Sequence, residues 1–150
     1  VDVLARWEER GPLGEWLAGA IEANPSSLFD LYLSGGPPAP DELRGWRAAL
    51  PYRPGYLDRV AVYRGAEPEP GHRRVSPRIW LVADWSAQID PRDYEGVAEL
   101  IWRYPLAPGE EPPLAAWRAA GGAGVLVPGA TPEQAARWQE QAGVRVWIGD

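Results

Sequence analysis

Hydrophobic and polar positions along this chain follow two periods. Short continuous apolar runs alternate with stretches in which apolar residues recur every three or four positions. Val3, Leu4 and Trp7 share one helical face, and Gly11-Pro12 interrupts it. Leu13, Trp16, Leu17, Ala20 and Ile21 then continue at helical spacing, which predicts helix over 1–23. Asn24-Pro25 stops that run, because a residue before proline is pushed out of the helical region. SLFDLYLS, 27–34, reads as a strand closed by Gly35-Gly36-Pro37-Pro38. A helix is predicted from Asp41 to Leu50, and DRVAVYRG, 58–65, as the next strand.

RIWLVADWS, 78–86, has its apolar run at Ile79 to Val82, with Asp84 following and Trp80 and Trp85 on either side. Asp90-Pro91 predicts a helix start, aspartate as cap and proline in the first turn, running to about Glu99. LIWRYPL, 100–106, reads as a strand. Pro112-Pro113 opens a helix that Gly121-Gly122 stops. AGVLVPG, 123–129, is a strand, Thr131-Pro132-Glu133 starts a further helix, and VRVWIGD closes as a strand.

The second half thus alternates strand and helix, and its strands are continuous apolar runs. Both features predict a parallel sheet built from βα units. The expected fold class is α/β, a mostly parallel sheet of about five to six strands, open or incomplete barrel-like, with an N-terminal helical segment. A closed eight-stranded barrel takes about 200 residues or more. No linker divides the chain. One α/β domain is expected over 1–150, with N-terminal helices at 1–24 and βα units at 25–150.

Composition narrows the function classes. Apolar residues make up 45% of the 150 residues, a globular level. Acidic residues outnumber basic ones 21 to 15, for a net charge of -6, which argues against non-specific nucleic-acid binding. The densest basic cluster, His72, Arg73, Arg74 and Arg78, falls in a Pro/Gly-rich stretch and reads as a solvated loop. Cysteine is absent and His72 is the single histidine, so no metal site and no cofactor is expected. No apolar run is long enough for a membrane span, which sets the expectation of a soluble, cytoplasmic or virion-associated protein. All the basic residues but His72 are arginine and prolines number 17, as in a high-GC or thermophilic source.

In parallel α/β proteins, sites form at the carboxyl ends of the strands. That rule selects Ser34, Arg64, Asp84, Trp85, Arg103, Tyr104, Gly129 with Thr131, and Asp150. Asp84 is the candidate catalytic residue, since a carboxylate desolvated beside two indoles suits general acid work. Its alternative role is a turn or cap. Glycosidic-bond hydrolysis needs a second carboxylate, for which Glu110, Glu111 and Asp150 are available. Trp85 and Tyr104 are candidate stacking platforms, and Arg64, Arg103 and Thr131 candidate ligand contacts. Of the nine tryptophans, those on predicted helices (Trp7, Trp16, Trp46, Trp117, Trp138) and within strands (Trp80, Trp102, Trp147) are assigned to the core. Trp85 is assigned to the surface.

IWLVADW, followed by ELIWRYPL, resembles the strand-end aromatic and acidic pattern of glycoside-hydrolase βα barrels. The resemblance implies Asp84 as acid/base, Trp85 as platform and a saccharide ligand. It covers under a fifth of the chain. WRAALP followed by VAVYRG is similar to the start of small ADP-ribosyltransferase-like toxins, which implies an NAD contact at Arg64. That family's later Ser-Thr-Ser-like strand and its E-x-E motif have no match here. The residues as a whole favour a third reading, a non-catalytic structural or protein-interaction domain within a larger viral or cellular assembly. In it the aromatic and arginine content serves a protein partner or self-assembly.

Overall fold

The computed structural model describes residues 2–23, 29–50, 60–61, 73–74 and 78–149. The chain opens with a strand, β1 (Asp2–Arg6), a 3-10 turn at Trp7–Glu9, and helix α1 (Arg10–Ala23). Strand β2 (Asp30–Ser34) and helix α2 (Pro40–Ala48) follow. The short strands β3 (Val60–Ala61) and β4 (Arg73–Arg74) pair in parallel as a small separate sheet. Then come β5 (Arg78–Asp84), a 3-10 turn at Pro91–Tyr94, and β6 (Glu99–Arg103). Helix α3 (Leu114–Ala120), β7 (Gly124–Val127), α4 (Pro132–Ala142) and β8 (Arg145–Ile148) complete it.

The main sheet is six-stranded and all-parallel, in the order β1-β2-β5-β6-β7-β8, and does not close into a barrel. This is the open α/β fold that the alternation of runs predicts. The N-terminal helical segment is shorter than expected, because residues 2–6 form a strand. Val3 and Leu4 lie in register with Leu31 and Tyr32 of β2, so pairing overrides the helical spacing. Gly11-Pro12 is no interruption. Proline sits in the first turn of α1, where its missing N–H has no intrahelical acceptor to lose. The helix expected from Asp90 to Glu99 is a single 3-10 turn, which gives way to Gly96 at φ +77 and to the start of β6 at Glu99. Of the strand expected at 58–65, only Val60–Ala61 falls within the described residues.

The described residues divide between two compact units, Val1–Trp80 with Gly96–Ala98, and Leu81–Glu95 with Glu99–Asp150. Within each, the strands present two unlike faces. In the first unit Leu31 and Leu33 are buried together with Leu17 of α1 and Leu43 of α2. The opposite face carries Leu4 beside Tyr32, which stacks on Trp80 at 5.8 Å with rings 8° apart. Helices α1 and α2 meet through Trp46, whose indole N–H donates to the Arg10 carbonyl at 3.1 Å. Gly14 allows that approach, since a Cβ there would stand 3.3 Å from Trp46 Nε1. The Arg47 guanidinium is buried and donates to the Val97 carbonyl.

In the second unit Leu81, Ala83, Leu100, Trp102, Val125 and Val127 are buried on one face, with Trp117 of α3 and Trp138 of α4 also in the core. Burying a side chain of this size is worth about 1.5–3 kcal/mol. Strands β6, β7 and β8 are neighbours in sequence and in the sheet, and the helices that connect them, α3 and α4, pack against each other on one side, as right-handed crossovers require. The other side carries Val82, Ile101, Leu126 and Trp147. Gly124 lies beneath Trp147, where a Cβ would come within 2.6 Å of the indole and closer still to the Arg145 carbonyl. Trp16, assigned to the core from its spacing, is 53% exposed, and Trp147 is half-buried.

Candidate functional site

The ends of β5, β6 and β7 lie in one unit and bring together several of the selected residues. Asp84 is the last residue of β5 and Arg103 the last of β6. Their side chains meet at 3.6 Å between Asp84 Oδ1 and Arg103 Nη1. The Asp84 carboxylate is 84% exposed, so the burial between indoles that a general acid would draw on is not present. An ion pair this open is worth about 1 kcal/mol at most.

Trp85 continues the ladder, its backbone N–H donating to the Arg103 carbonyl at 2.9 Å. Its ring packs edge-on to buried Trp102, centroids 4.8 Å apart at 79°. Trp85 is therefore half-buried, with its edge-to-face contact made to the core. Tyr104 likewise packs edge-on to Trp117, centroids 5.8 Å apart, while its hydroxyl donates to Glu110 Oε1. The other oxygen of Glu110 accepts from the Ala107 N–H at 2.9 Å. The turn between them places Pro108 and Gly109, at φ +76, in its two central positions. This is the residue order that a type II turn requires.

These contacts set the electrostatics. The Tyr104 hydroxyl, with the Ala107 N–H, holds the Glu110 carboxyl below its ordinary value. The same hydrogen bond pushes the Tyr104 phenol up. Asp90 is lowered by the Arg92 guanidinium and backbone N–H at the start of the 3-10 turn. Burial raises Tyr94.

The remaining selected residues are elsewhere or otherwise engaged. Thr131 caps α4, its Oγ1 accepting from the Gln134 N–H at 3.2 Å while Gln134 Oε1 accepts from the Thr131 N–H at 2.9 Å. Gly129 lies in the turn before it, at φ +77. Ser34 is in the first unit and donates to the Ala5 carbonyl at 3.3 Å. Arg64 and Asp150 lie outside the described residues, as does His72 of the basic cluster. Among the described residues no three of His, Cys, Asp and Glu are grouped as a metal ion would need. No described helix is long and apolar enough to cross a membrane. Sequence reasoning selected Asp84, Arg103, Tyr104 and Glu110 singly and missed their pairing. The Pro108-Gly109 turn was the available signal for the Tyr104–Glu110 contact, since it folds Glu110 back toward the strand end.

No family model, curated protein or solved structure matches the chain.

Proposed function

We propose that this chain is a non-catalytic structural or protein-interaction domain, working as part of a larger assembly. The observation that carries the reading is how the strand-end polar groups are spent. Asp84 faces Arg103, and Glu110 is held by Tyr104 and the Ala107 N–H, each acid in its own local bond at solvent. A general acid at neutral pH needs its pKa raised, and the Glu110 carboxyl is shifted the other way. The sheet supports the same reading. All-parallel sheets are ordinarily covered on both faces. In the second unit the face opposite α3 and α4 carries buried Ile101 with half-buried Val82, Leu126 and Trp147 around it.

A saccharide-binding or saccharide-cleaving reading keeps one favourable observation: Asp84, Trp85, Arg103 and Tyr104 are neighbours at the ends of adjacent strands. One experiment separates the two. Tryptophan fluorescence is titrated with peptidoglycan fragments, common oligosaccharides and NAD, alongside Trp85→Ala. The interaction reading expects no saturable change with any of them. A saturable saccharide response lost in Trp85→Ala would replace it with the carbohydrate reading. A response to NAD alone would replace it with a transferase reading centred on Arg64.

A further inference from the structure

We infer that β1 is a self-complementary edge and that the partner it fits is a second copy of this chain. The inference rests on the interaction reading and names a partner for it. Among the described strands β1 ends the sheet, with β2 its neighbour on one side. An edge strand offers a row of backbone donors and acceptors to another chain, and proline, charged side chains or a bulge are the usual defences. The sequence of β1, DVLAR, carries no proline, and its two charges, Asp2 and Arg6, are of opposite sign and so complementary to a reversed copy.

The orientation of its backbone can be read from one contact. The Ala5 carbonyl is turned toward β2, where it accepts from Ser34 Oγ at 3.3 Å. Backbone groups alternate sides along a strand, so the N–H and C=O of Asp2 and Leu4 and the N–H of Arg6 are turned to the open edge, while the Arg6 carbonyl begins the 3-10 turn. The side chains of those three residues share one face. Leu4 is 78% exposed there.

Antiparallel pairing of β1 with its own copy, about a two-fold axis at Leu4, matches the centre and the charges of this edge to themselves. Leu4 then faces the copy's Leu4 in a pair that exchanges both backbone bonds. Two residues away on either side, Asp2 faces Arg6 of the copy and Arg6 faces its Asp2. The charges at the two ends of the strand are therefore complementary under the two-fold that a symmetric dimer requires. The paired leucines extend the row that Tyr32 and Trp80 begin on the same face. Arg6 already meets Glu8 at 2.9 Å through Nε, at an exposed position where the pair exchanges readily with another carboxylate. The other end of the sheet lacks this property. Self-pairing of β8, RVWI, about Val146 sets Arg145 against Trp147, and no position of the strand offers Arg145 a carboxylate.

Sedimentation velocity across a concentration series of the whole chain tests the inference with four variants. The parent chain is expected to form a reversible dimer. Asp2→Arg and Arg6→Asp each set like charges opposite one another and weaken the dimer by roughly ten-fold or more, as cross-strand charge pairs imply. The double exchange, Asp2→Arg with Arg6→Asp, restores both oppositely charged pairs and the dimer with them. Leu4→Pro removes an N–H that faces away from β2, so β1 keeps its own ladder while the dimer is lost. Circular dichroism identical to the parent verifies that each variant is folded. A parent chain that stays monomeric at the highest concentration overturns the inference, as does a double exchange that fails to restore what the single ones lose. Either failure is separate from a saccharide or NAD response, which bears on the interaction reading itself.

Discussion

At the scale of single residues, two positions have consequences that chemistry alone decides. Glu110 holds the turn after β6 by accepting from Tyr104 and from the Ala107 N–H. Both donors favour the ionised carboxylate, so its folded pKa is lowered. A group lowered in this way contributes stability above its unfolded value, and the contribution is lost as pH falls through the folded one. In Tyr104→Phe the carboxyl is expected to titrate closer to the ordinary glutamate value. Carbon-detected NMR of the glutamate side chains checks this, and a Glu110 titration unmoved by the substitution would rule out the hydroxyl as its main partner. Gly124 is the second position. Alanine there meets the Arg145 carbonyl and the Trp147 ring, at φ +154, a backbone conformation that side chains rarely adopt. Strand β8 must shift to admit even one methyl, at a cost on the order of 1–3 kcal/mol in urea unfolding. A stability equal to the parent would mean that Trp147 is free to move off the sheet.

Among the elements, the difference between what the sequence discloses and what it hides has a physical cause. Strands β5, β6 and β7 are legible because they are interior: continuous apolar runs bounded by Asp, Gly and Pro. Helix α4 is legible because its start is written locally, in Thr131, Pro132 and Gln134. Thr131→Ala is expected to destabilise the chain by about 1 kcal/mol in thermal or urea unfolding, with Thr131→Ser recovering most of it. An alanine variant as stable as the parent would show that Pro132 alone sets the helix start. Strand β1 is illegible for the opposite reason. It is a five-residue edge whose place is fixed by residues some 28 positions away, Asp2 with Asp30 and Arg6 with Ser34. Nothing local distinguishes Val3, Leu4 and Trp7 from one turn of a helix. The candidate site shows the same split. Strand-end logic found Asp84 and Arg103 one at a time, and only β5–β6 adjacency makes them a pair. Trp16 has helical spacing yet is exposed, because spacing defines a face without saying whether anything covers it.

For the whole molecule, the strand order is the controlling fact. Each main strand lies beside the one that precedes it in sequence, so the sheet grows from one edge to the other without doubling back. Stability should then be graded across the sheet, because native proteins open locally where buried contacts are few. Strands β6 and β7 hold Leu100, Ile101, Trp102, Val125 and Val127, all buried. At the edges, β1 alternates exposed and half-buried positions, and β8 buries Val146 alone among its residues. Amide hydrogen exchange followed by NMR is expected to be slowest in β6 and β7. Within β1, the Val3 and Ala5 amides face β2, while the Leu4 and Arg6 amides face outward. In dilute solution the outward pair exchanges far faster than the inward pair. Raising the protein concentration slows the outward pair selectively as the second copy covers it, and leaves the β8 amides unchanged. Selective slowing at β8, or equal protection of all four β1 amides at every concentration, would place the association elsewhere on the molecule. The alternation within one five-residue strand thus reports both which way its backbone faces and what comes to meet it.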